Sequence, residues 1–231
     1  MRILGTVGGI GPESTDDYYC SLIQKWRDHT NDGSAPFIVI NSIDLKKMLD
    51  LIAANELAEV TAYLSGEMER LARAGADVGL FAANTPHIVF DELQRRSSIP
   101  LISIVEATRE AAEGLGLRRL GLFGVRFTMQ GRFYPDVFST AGIALVVPEA
   151  SEQDYIHDIY MNELVKGVFL PETRERLLGI VDRLAKQERA QGVILAGTEL
   201  PLILREARCG IPFLDTTQIH VQAALRRLLA W

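Results

Sequence analysis

The stretch Arg2-Ile-Leu-Gly-Thr-Val-Gly8 recurs 116 residues later as Arg118-Arg-Leu-Gly-Leu-Phe-Gly124. A second segment repeats at an offset of 114 residues, since Val78-Gly-Leu-Phe-Ala-Ala83-Asn84-Thr85 corresponds to Gly192-Val-Ile-Leu-Ala-Gly197-Thr198-Glu199. Two matches at nearly equal offsets indicate two related half-chains, each with two strands that end in a loop. The segments alone leave one alternative open, because any two buried parallel strands have a similar aliphatic composition.

Short aliphatic runs alternate with longer segments that carry apolar residues at three- and four-residue spacing, which is typical of βαβ units. Strands are predicted at residues 2–7, 37–41, 78–82, 101–104, 120–123, 144–147, 193–195 and 213–214. Helices are predicted at residues 12–26, 57–74, 105–115, 154–166, 171–191 and 216–229. We therefore predict an α/β protein with two pseudo-symmetric domains, each a parallel sheet flanked by helices. The first would comprise residues 1–99 and 213–231, and the second residues 100–212.

Composition excludes several classes of protein. The 231 residues are 48% hydrophobic and 23% charged, which is ordinary for a globular chain. A net charge of −6 gives the surface no overall attraction for nucleic acid. Two cysteines, Cys20 and Cys209, are too few for a disulfide framework and suit a reducing compartment. We find no signal peptide and no apolar run of about 18 residues, so we predict a cytoplasmic protein with no membrane partner.

A glycine-rich segment, Gly8-Gly9-Ile10-Gly11-Pro12-Glu13-Ser14-Thr15, follows the first predicted strand and opens a helix at Pro12. Glycines let the backbone approach a ligand, and amides at a helix start suit a carboxylate or phosphate. The segment is not a dinucleotide fingerprint, because Ser14 stands where the third glycine belongs. A plain tight turn explains it equally well. Residues 124–130, at the corresponding place in the second half, offer a cation, an amide and the Thr128 hydroxyl, so two such turns would hold one small dianion.

Polar side chains also follow two other predicted strands. Ala83-Asn84-Thr85-Pro86-His87 places an amide, a hydroxyl and an imidazole within five residues, and Gly197-Thr198-Glu199-Leu200-Pro201 is the matching loop. Glu199 would orient a ligand amine, act as a base with a raised pKa, or cap a helix, and His87 would act chemically or cap the next helix. Ligands of open α/β sheets bind beyond the carboxyl ends of strands, so we expect these loops to line a cleft between the halves.

Several chemistries are absent from the sequence. No cluster of histidine, cysteine and aspartate has metal-ligand spacing, and there is no Gly-x-Ser-x-Gly elbow and no Walker loop. Neither Cys20 nor Cys209 falls in the loops described above. We therefore predict no metal site, no serine-hydrolase site and no P-loop.

Taken together, the motifs resemble the aspartate/glutamate racemase superfamily across nearly the full chain. They are the segments at residues 8–15, 84–87, 124–129, 159–167, 197–202 and 215–220. The resemblance implies two α/β domains with the active site in the cleft between them, no cofactor, and usually a homodimer. It implies a small amino acid or dicarboxylate as ligand, and the residues predicted to bind it are Gly9, Gly11, Asn84, Thr85, Thr128, Lys166 and Thr198.

The sequence departs from this family at two decisive positions. Family racemases remove the α-proton with one cysteine and return it with another, and these stand immediately before Asn-Thr-x-His and Thr-Glu. Here the two positions are Ala83 and Gly197, neither of which titrates. Loss of such a group typically costs about 10²–10⁴ in rate. Glu199 and His87 are the nearest ionisable candidates for catalysis, and the resemblance adds Asp44 and Lys166 as residues near the ligand.

Three hypotheses stay open. The first is an enzyme that moves the α-proton of a small amino or dicarboxylic acid, in a racemase, isomerase or lyase reaction, with Glu199 or His87 in place of thiols. The second is a non-catalytic binding or regulatory protein that keeps the carboxylate pocket. The third is an active racemase whose cysteines were replaced to trap substrate, for which a paired alanine and glycine is an unusual choice.

Overall fold

The computed structural model describes residues 2–204 and 210–230. Its strands are β1 (Ile3–Gly8), β2 (Phe37–Ser42), β3 (Val78–Phe81), β4 (Arg119–Gly124), β5 (Ala144–Val146), β6 (Val193–Ala196) and β7 (Phe213–Asp215). Its α-helices are α1 (Pro12–Thr30), α2 (Leu45–Ala53), α3 (Leu57–Arg73), α4 (Phe90–Arg96), α5 (Ile104–Gly114), α6 (Arg126–Gln130), α7 (Phe133–Ser139), α8 (Ala150–Asn162), α9 (Pro171–Gln187), α10 (Leu200–Leu204) and α11 (Thr216–Leu229). Two 3₁₀ helices lie at Thr85–Val89 and Leu164–Lys166.

The chain forms two compact units. The first contains the chain up to Ile104 and from His220 onward, and the second runs from Val105 to Ile219. The first unit holds a three-stranded parallel sheet in the order β2-β1-β3, and the second a four-stranded parallel sheet in the order β5-β4-β6-β7. The predicted α/β class, with two parallel sheets flanked by helices, is confirmed.

The repeated strands β1 and β4 owe their similarity to their place in the sheets. Each is flanked by a strand on both sides and is buried along nearly its whole length, so it reads as a continuous apolar run. The shared third-position glycine has a packing reason. A Cβ on Gly5 would lie 2.9 Å from the Cβ of Ala76, and a Cβ on Gly121 would lie 3.0 Å from a methyl carbon of Leu184 on α9. Glycine thus allows the covering layer to approach each central strand closely.

Each unit has its own apolar core. In the first unit α2, α3 and α4 pack buried side chains such as Met48, Leu64 and Leu93 against the sheet. In the second unit α8 and α9 supply Ile156 and Leu177, which pack around β4 and β6. No helix within residues 2–204 and 210–230 is long and apolar enough to cross a membrane.

The structure corrects parts of the predicted layout. The predicted strand at residues 101–104 is wrong, since Leu101 forms only an isolated bridge with Gly79 and Ile104 already begins α5. Five helices of nine residues or fewer are absent from the prediction: α2, α4, α6, α7 and α10. Four of them have seven residues or fewer, which is too short to show a clear period. The α2 helix does show one, since Met48 and Ile52 are buried four residues apart. The domain boundaries predicted at residues 99 and 213 lie a few residues before those of the two units, and β7 pairs with β6 in the second sheet.

Candidate functional site

In each unit the loops that hold predicted site residues follow the carboxyl ends of parallel strands. We call the loops after β1, β2 and β3 the first-unit edge, and those after β4, β6 and β7 the second-unit edge. Neighbouring strands in a parallel sheet end at the same side, so the loops within one edge lie close together. The predicted site residues fall on these two edges, apart from Lys166, which is exposed at the end of the 3₁₀ helix Leu164–Lys166.

The glycine-rich loop of the first-unit edge is a tight turn held by its own side chains. Gly9 has φ of 77° and Gly11 has φ of 96°, which glycine adopts without strain. The amide of Gly9 donates to Thr15 Oγ1 at 2.9 Å, and a Cβ on Gly9 would lie 2.5 Å from Ser42 Oγ. Because the Gly9 amide is already bonded within the loop, the turn explanation fits this position better than an anion site does.

His87 is committed to the backbone of the first unit. It is 3% exposed, and its Nε2 accepts a hydrogen bond from the Ile104 amide at 3.1 Å, which places it at the start of α5. Since Nε2 accepts, the proton of the neutral ring is on Nδ1, which has no hydrogen-bond partner of good geometry in the described chain. Burial, together with nearby His220, lowers the pKa of His87 to about 3, although the carbonyls of Asn84 and Ala83 act in the opposite direction.

A second buried histidine supports the same region. The Ile102 carbonyl can only accept, so His220 Nε2 donates to it at 3.0 Å, and the Tyr18 hydroxyl donates to His220 Nδ1 at 2.8 Å. Burial lowers the pKa of His220 to about 4. Both histidines are therefore neutral at physiological pH, and both hold the segment that leads into α5.

Most of the remaining polar residues of the first-unit edge also make structural contacts. Asn84 is 4% exposed and its carbonyl accepts from the His87 amide, while Thr85 is half-buried. Ser14 donates to the Ala82 carbonyl at 2.9 Å, which ties α1 to the end of β3. Asp44 caps α2, because its side chain accepts from the Lys46 and Lys47 amides.

Buried hydroxyl groups gather on the second-unit edge. Thr128 and Thr217 are both fully buried, and the Oγ1 atom of each has no hydrogen-bond partner in the described part of the chain. Neighbouring Thr216 is also fully buried, but its hydroxyl donates to the Leu195 carbonyl at 2.8 Å. A buried hydroxyl without a partner costs about 1–3 kcal/mol, so two of them flanking the loop after β6 indicate a place for a polar ligand.

Glu199 lies in the loop after β6 with only 2% of its surface exposed. Its Oε2 atom accepts hydrogen bonds from the Tyr160 hydroxyl and, at 2.8 Å, from Thr198 Oγ1. Burial and the neighbouring Glu199 carboxylate raise the pKa of Tyr160 well above its ordinary value, so the phenol is protonated and donates. A buried carboxylate stabilised by two hydroxyls is the most unusual ionisable group at either edge.

The other candidate groups lie outside this arrangement. Arg126 pairs with Asp154 at 2.8 Å, and both side chains are substantially exposed. Cys20 is exposed on α1, and Cys209 lies outside the described residues. Among residues 2–204 and 210–230, no group of three or more histidine, cysteine, aspartate or glutamate side chains is placed to hold a metal.

Comparison with known proteins identifies the family of the chain. The model of the Asp/Glu/hydantoin racemase family matches residues 7–224. The chain belongs to this family. It is 24% identical to a broad specificity amino-acid racemase, RacX, from Bacillus subtilis (strain 168), over 99% of both chains.

Two solved structures of the racemase family superpose over almost the entire chain. One is a Yersinia pestis protein assigned as an Asp/Glu racemase, with 29% identity, coverage of 99% of this chain and 100% of that one, and a TM-score of 0.91. The other is an aspartate racemase homologue from Pyrococcus horikoshii OT3, with 32% identity, coverage of 99% of both chains and a TM-score of 0.86. The resemblance inferred from the motifs is thereby confirmed.

Sequence reasoning missed two residues of this racemase-family chain. Thr217 lies in the Asp-Thr-Thr segment that carried part of the resemblance, and its position directly after a short buried strand is a usable signal. Tyr160 lies 39 residues before Glu199, within the 159–167 segment that also carried part of the resemblance, but a tyrosine on a partly buried helix does not by itself indicate a site. Only the fold brings it to Glu199.

Proposed function

We propose that this racemase-family chain binds a small amino acid or dicarboxylate in a cleft between its two domains and moves the α-proton of that ligand without a cofactor and without thiols. The observation that carries the proposal is the second-unit edge, where buried Glu199 lies in the loop between those of Thr128 and Thr217. Family membership supports the ligand class, since the relative RacX is named as a broad specificity amino-acid racemase.

The hydroxyl groups suit a carboxylate ligand. Thr128 Oγ1 and Thr217 Oγ1 each retain a proton to donate and follow strands on either side of β6. Donors directed at a carboxylate also stabilise the charge that develops when an α-proton leaves, because the electron pair spreads into that carboxylate. The proposed substrate-binding residues Gly9, Gly11, Asn84, Thr85, Lys166 and Thr198 remain part of this hypothesis.

Glu199 is our candidate proton carrier. In the proposed step the Cα–H bond breaks, the proton passes to the Glu199 carboxylate, and the electron pair is delocalised over the ligand carboxylate. When the proton returns from Glu199 to Cα, the ligand and the Glu199 carboxylate are both regenerated, so atoms and charge balance. His87 is a weaker candidate, because its Nε2 is bonded to the Ile104 amide and its pKa is about 3.

One set of observations favours the second candidate, a binding protein without chemistry. Position 83 carries a buried alanine, and the only imidazole of that loop caps a helix. Racemisation needs proton carriers on both faces of the carbanion. On this view the first-unit edge contributes binding only, and full racemisation does not occur.

The test is α-deuterium exchange, followed by NMR, with aspartate, glutamate and malonate as probes in deuterated water. We expect exchange with the wild-type chain and a loss of about 10²–10⁴ in Glu199→Gln. Ligand-dependent thermal stabilisation should survive in that variant, because a ligand that prefers the folded state stabilises it by mass action. Glu67→Gln is the matched control, since Glu67 is also a buried, hydrogen-bonded carboxylate but lies on α3.

The outcomes separate the candidates. Stabilisation by a probe without exchange in the wild-type chain establishes the binding protein and rejects the enzyme. If none of these acids stabilises the chain or undergoes exchange, both candidates are rejected. We extend the family expectation of a homodimeric, cytoplasmic protein to this chain as part of the proposal, and sedimentation analysis tests the dimer.

A further inference from the structure

The amino end of the first sheet borders a cavity of about 510 Å³, a volume within the range of roughly 300–1,000 Å³ that small-molecule sites have. Arg2, directly before β1, and Asp77, directly before β3, both line it. Neighbouring parallel strands begin at the same side of a sheet, so the cavity lies opposite to the first-unit edge. It is therefore separate from the predicted ligand-binding residues.

The floor of this cavity is apolar. Trp26, near the end of α1, is 3% exposed, and Leu228, near the end of α11, is 6% exposed. Leu229 beside it is half-buried. The indole nitrogen of Trp26 donates to Ser34 Oγ at 2.9 Å, which holds the ring in place. Such a floor favours a ligand with a hydrocarbon part, because covering it removes apolar surface from water.

The rim of the cavity is charged. Asp32 and Asp77 each accept a hydrogen bond from a backbone amide, at 2.8 Å in both cases. Arg2 donates from Nη1 to the Arg227 carbonyl at 2.9 Å. In the part of the chain that the structure describes, none of these three side chains takes part in an ion pair. A carboxylate accepts several hydrogen bonds and a guanidinium has five donors, so each group has capacity for a ligand.

Two helix ends add to the negative side of this balance. The last residue of α1, Thr30, and the last residue of α11, Leu229, both line the cavity. The carbonyl end of a helix carries partial negative charge and favours a cation. Two carboxylates and two helix ends therefore favour an ammonium group, and Arg2 supplies a partner for a carboxylate.

We infer that this cavity is a second binding site and that its ligand is an α-amino acid with an apolar side chain. The ammonium group binds at Asp32 and Asp77, the carboxylate binds at Arg2, and the side chain packs on Trp26 and Leu228. The inference does not depend on the proposed function, because no residue of the second-unit edge takes part in it.

Tryptophan fluorescence tests the site with phenylalanine as the probe. The chain has two tryptophans, so a Trp231→Phe background leaves Trp26 as the reporter. We expect a saturable change with phenylalanine. Binding should be weaker by about tenfold or more for 3-phenylpropionate, which lacks the ammonium group, and for phenethylamine, which lacks the carboxylate. No change with phenylalanine, or equal affinity for all three compounds, overturns the inference.

Variants of the rim locate the bound probe. Asp32→Asn/Asp77→Asn should weaken phenylalanine binding about tenfold or more, and Asp32→Asn alone, at an exposed position, tests the rim if the double variant does not fold. Asp28→Asn is the matched control, since Asp28 is an exposed carboxylate of α1 that bonds to Gln24 at 2.8 Å and does not line the cavity. Equal weakening by the control overturns the inference.

Glu199→Gln separates this site from the candidate site. Phenylalanine binding that is unchanged in Glu199→Gln and weakened in Asp32→Asn supports the second site, whatever the outcome of the exchange test. Binding that is lost in Glu199→Gln and retained in Asp32→Asn places the probe at the second-unit edge. That result overturns the inference and leaves the proposed function standing.

Discussion

The loops after β3 and β6 occupy equivalent places in two similar sheets, yet they differ in what they do with their ionisable groups. In the first loop Ala83 carries a Cβ, and His87 is neutral and bonded to a backbone amide. In the second loop Gly197 carries no Cβ, a tyrosine fills that space, and Glu199 is buried against two hydroxyls. The two loops therefore share a position in the scaffold but differ in their ionisable groups. In the proposed function, this asymmetry corresponds to proton transfer by Glu199 at a single face.

The largest expected effect is acid destabilisation through the two buried histidines. In the folded chain the pKa of His87 is lowered to about 3 and that of His220 to about 4, both below the ordinary value of 6.5. At pH values between each lowered pKa and 6.5, the unfolded chain therefore binds more protons than the folded chain. Stability is complete above pH 6.5 and falls as the pH drops toward 4, by about 1.4 kcal/mol per pH unit for each histidine. Urea unfolding of the wild-type chain from pH 7 to pH 4 measures this slope.

Matched variants assign the acid effect to the two buried histidines. His87→Gln and His220→Gln should each flatten the slope, while His29→Gln, at an exposed position of α1, should leave it unchanged. An unchanged slope in both buried variants would show that His87 is not held neutral, and would return it to consideration as a proton carrier.

A smaller effect is expected in the second loop. Thr198→Val removes a donor from the buried Glu199 carboxylate, and hydrogen bonds to charged groups contribute about 1.5–3 kcal/mol. Thr85→Val, in the first loop, changes a half-buried hydroxyl and should cost less than 1 kcal/mol. Thermal unfolding of the two variants compares the loops directly, and equal losses would contradict the asymmetry between them.

The smallest effect separates two adjacent threonines. Thr216→Val removes a hydroxyl bonded to the Leu195 carbonyl and should cost about 1 kcal/mol. Thr217→Val removes a buried hydroxyl without a partner and should be neutral or slightly stabilising, while weakening dicarboxylate binding about tenfold. Calorimetry of both variants with and without malonate checks the pair. A stability loss in Thr217→Val equal to that in Thr216→Val would remove Thr217 from the site.

The layout of the sheets was readable from the sequence because a central parallel strand is buried on both faces. The runs at residues 2–7 and 120–123 have no polar face, and the shared glycine marks the close approach of the covering layer. Residues 101–104 are equally apolar but do not form a strand. Instead, His220 donates a hydrogen bond to the Ile102 carbonyl, and the Ile104 amide donates one to His87. These partners lie 118 and 17 residues away along the chain, respectively.

By itself the sequence determined the α/β class, the repeated half-chains, the racemase-family motifs, and the loss of a titratable side chain at positions 83 and 197, because each is written in local residue order. Tertiary structure alone decided that Tyr160 fills the space over Gly197, that Glu199 is buried between hydroxyls, and that His87 caps α5. These depend on contacts between residues distant in the chain, whose geometry the packing of helices onto strands sets and which no local pattern encodes.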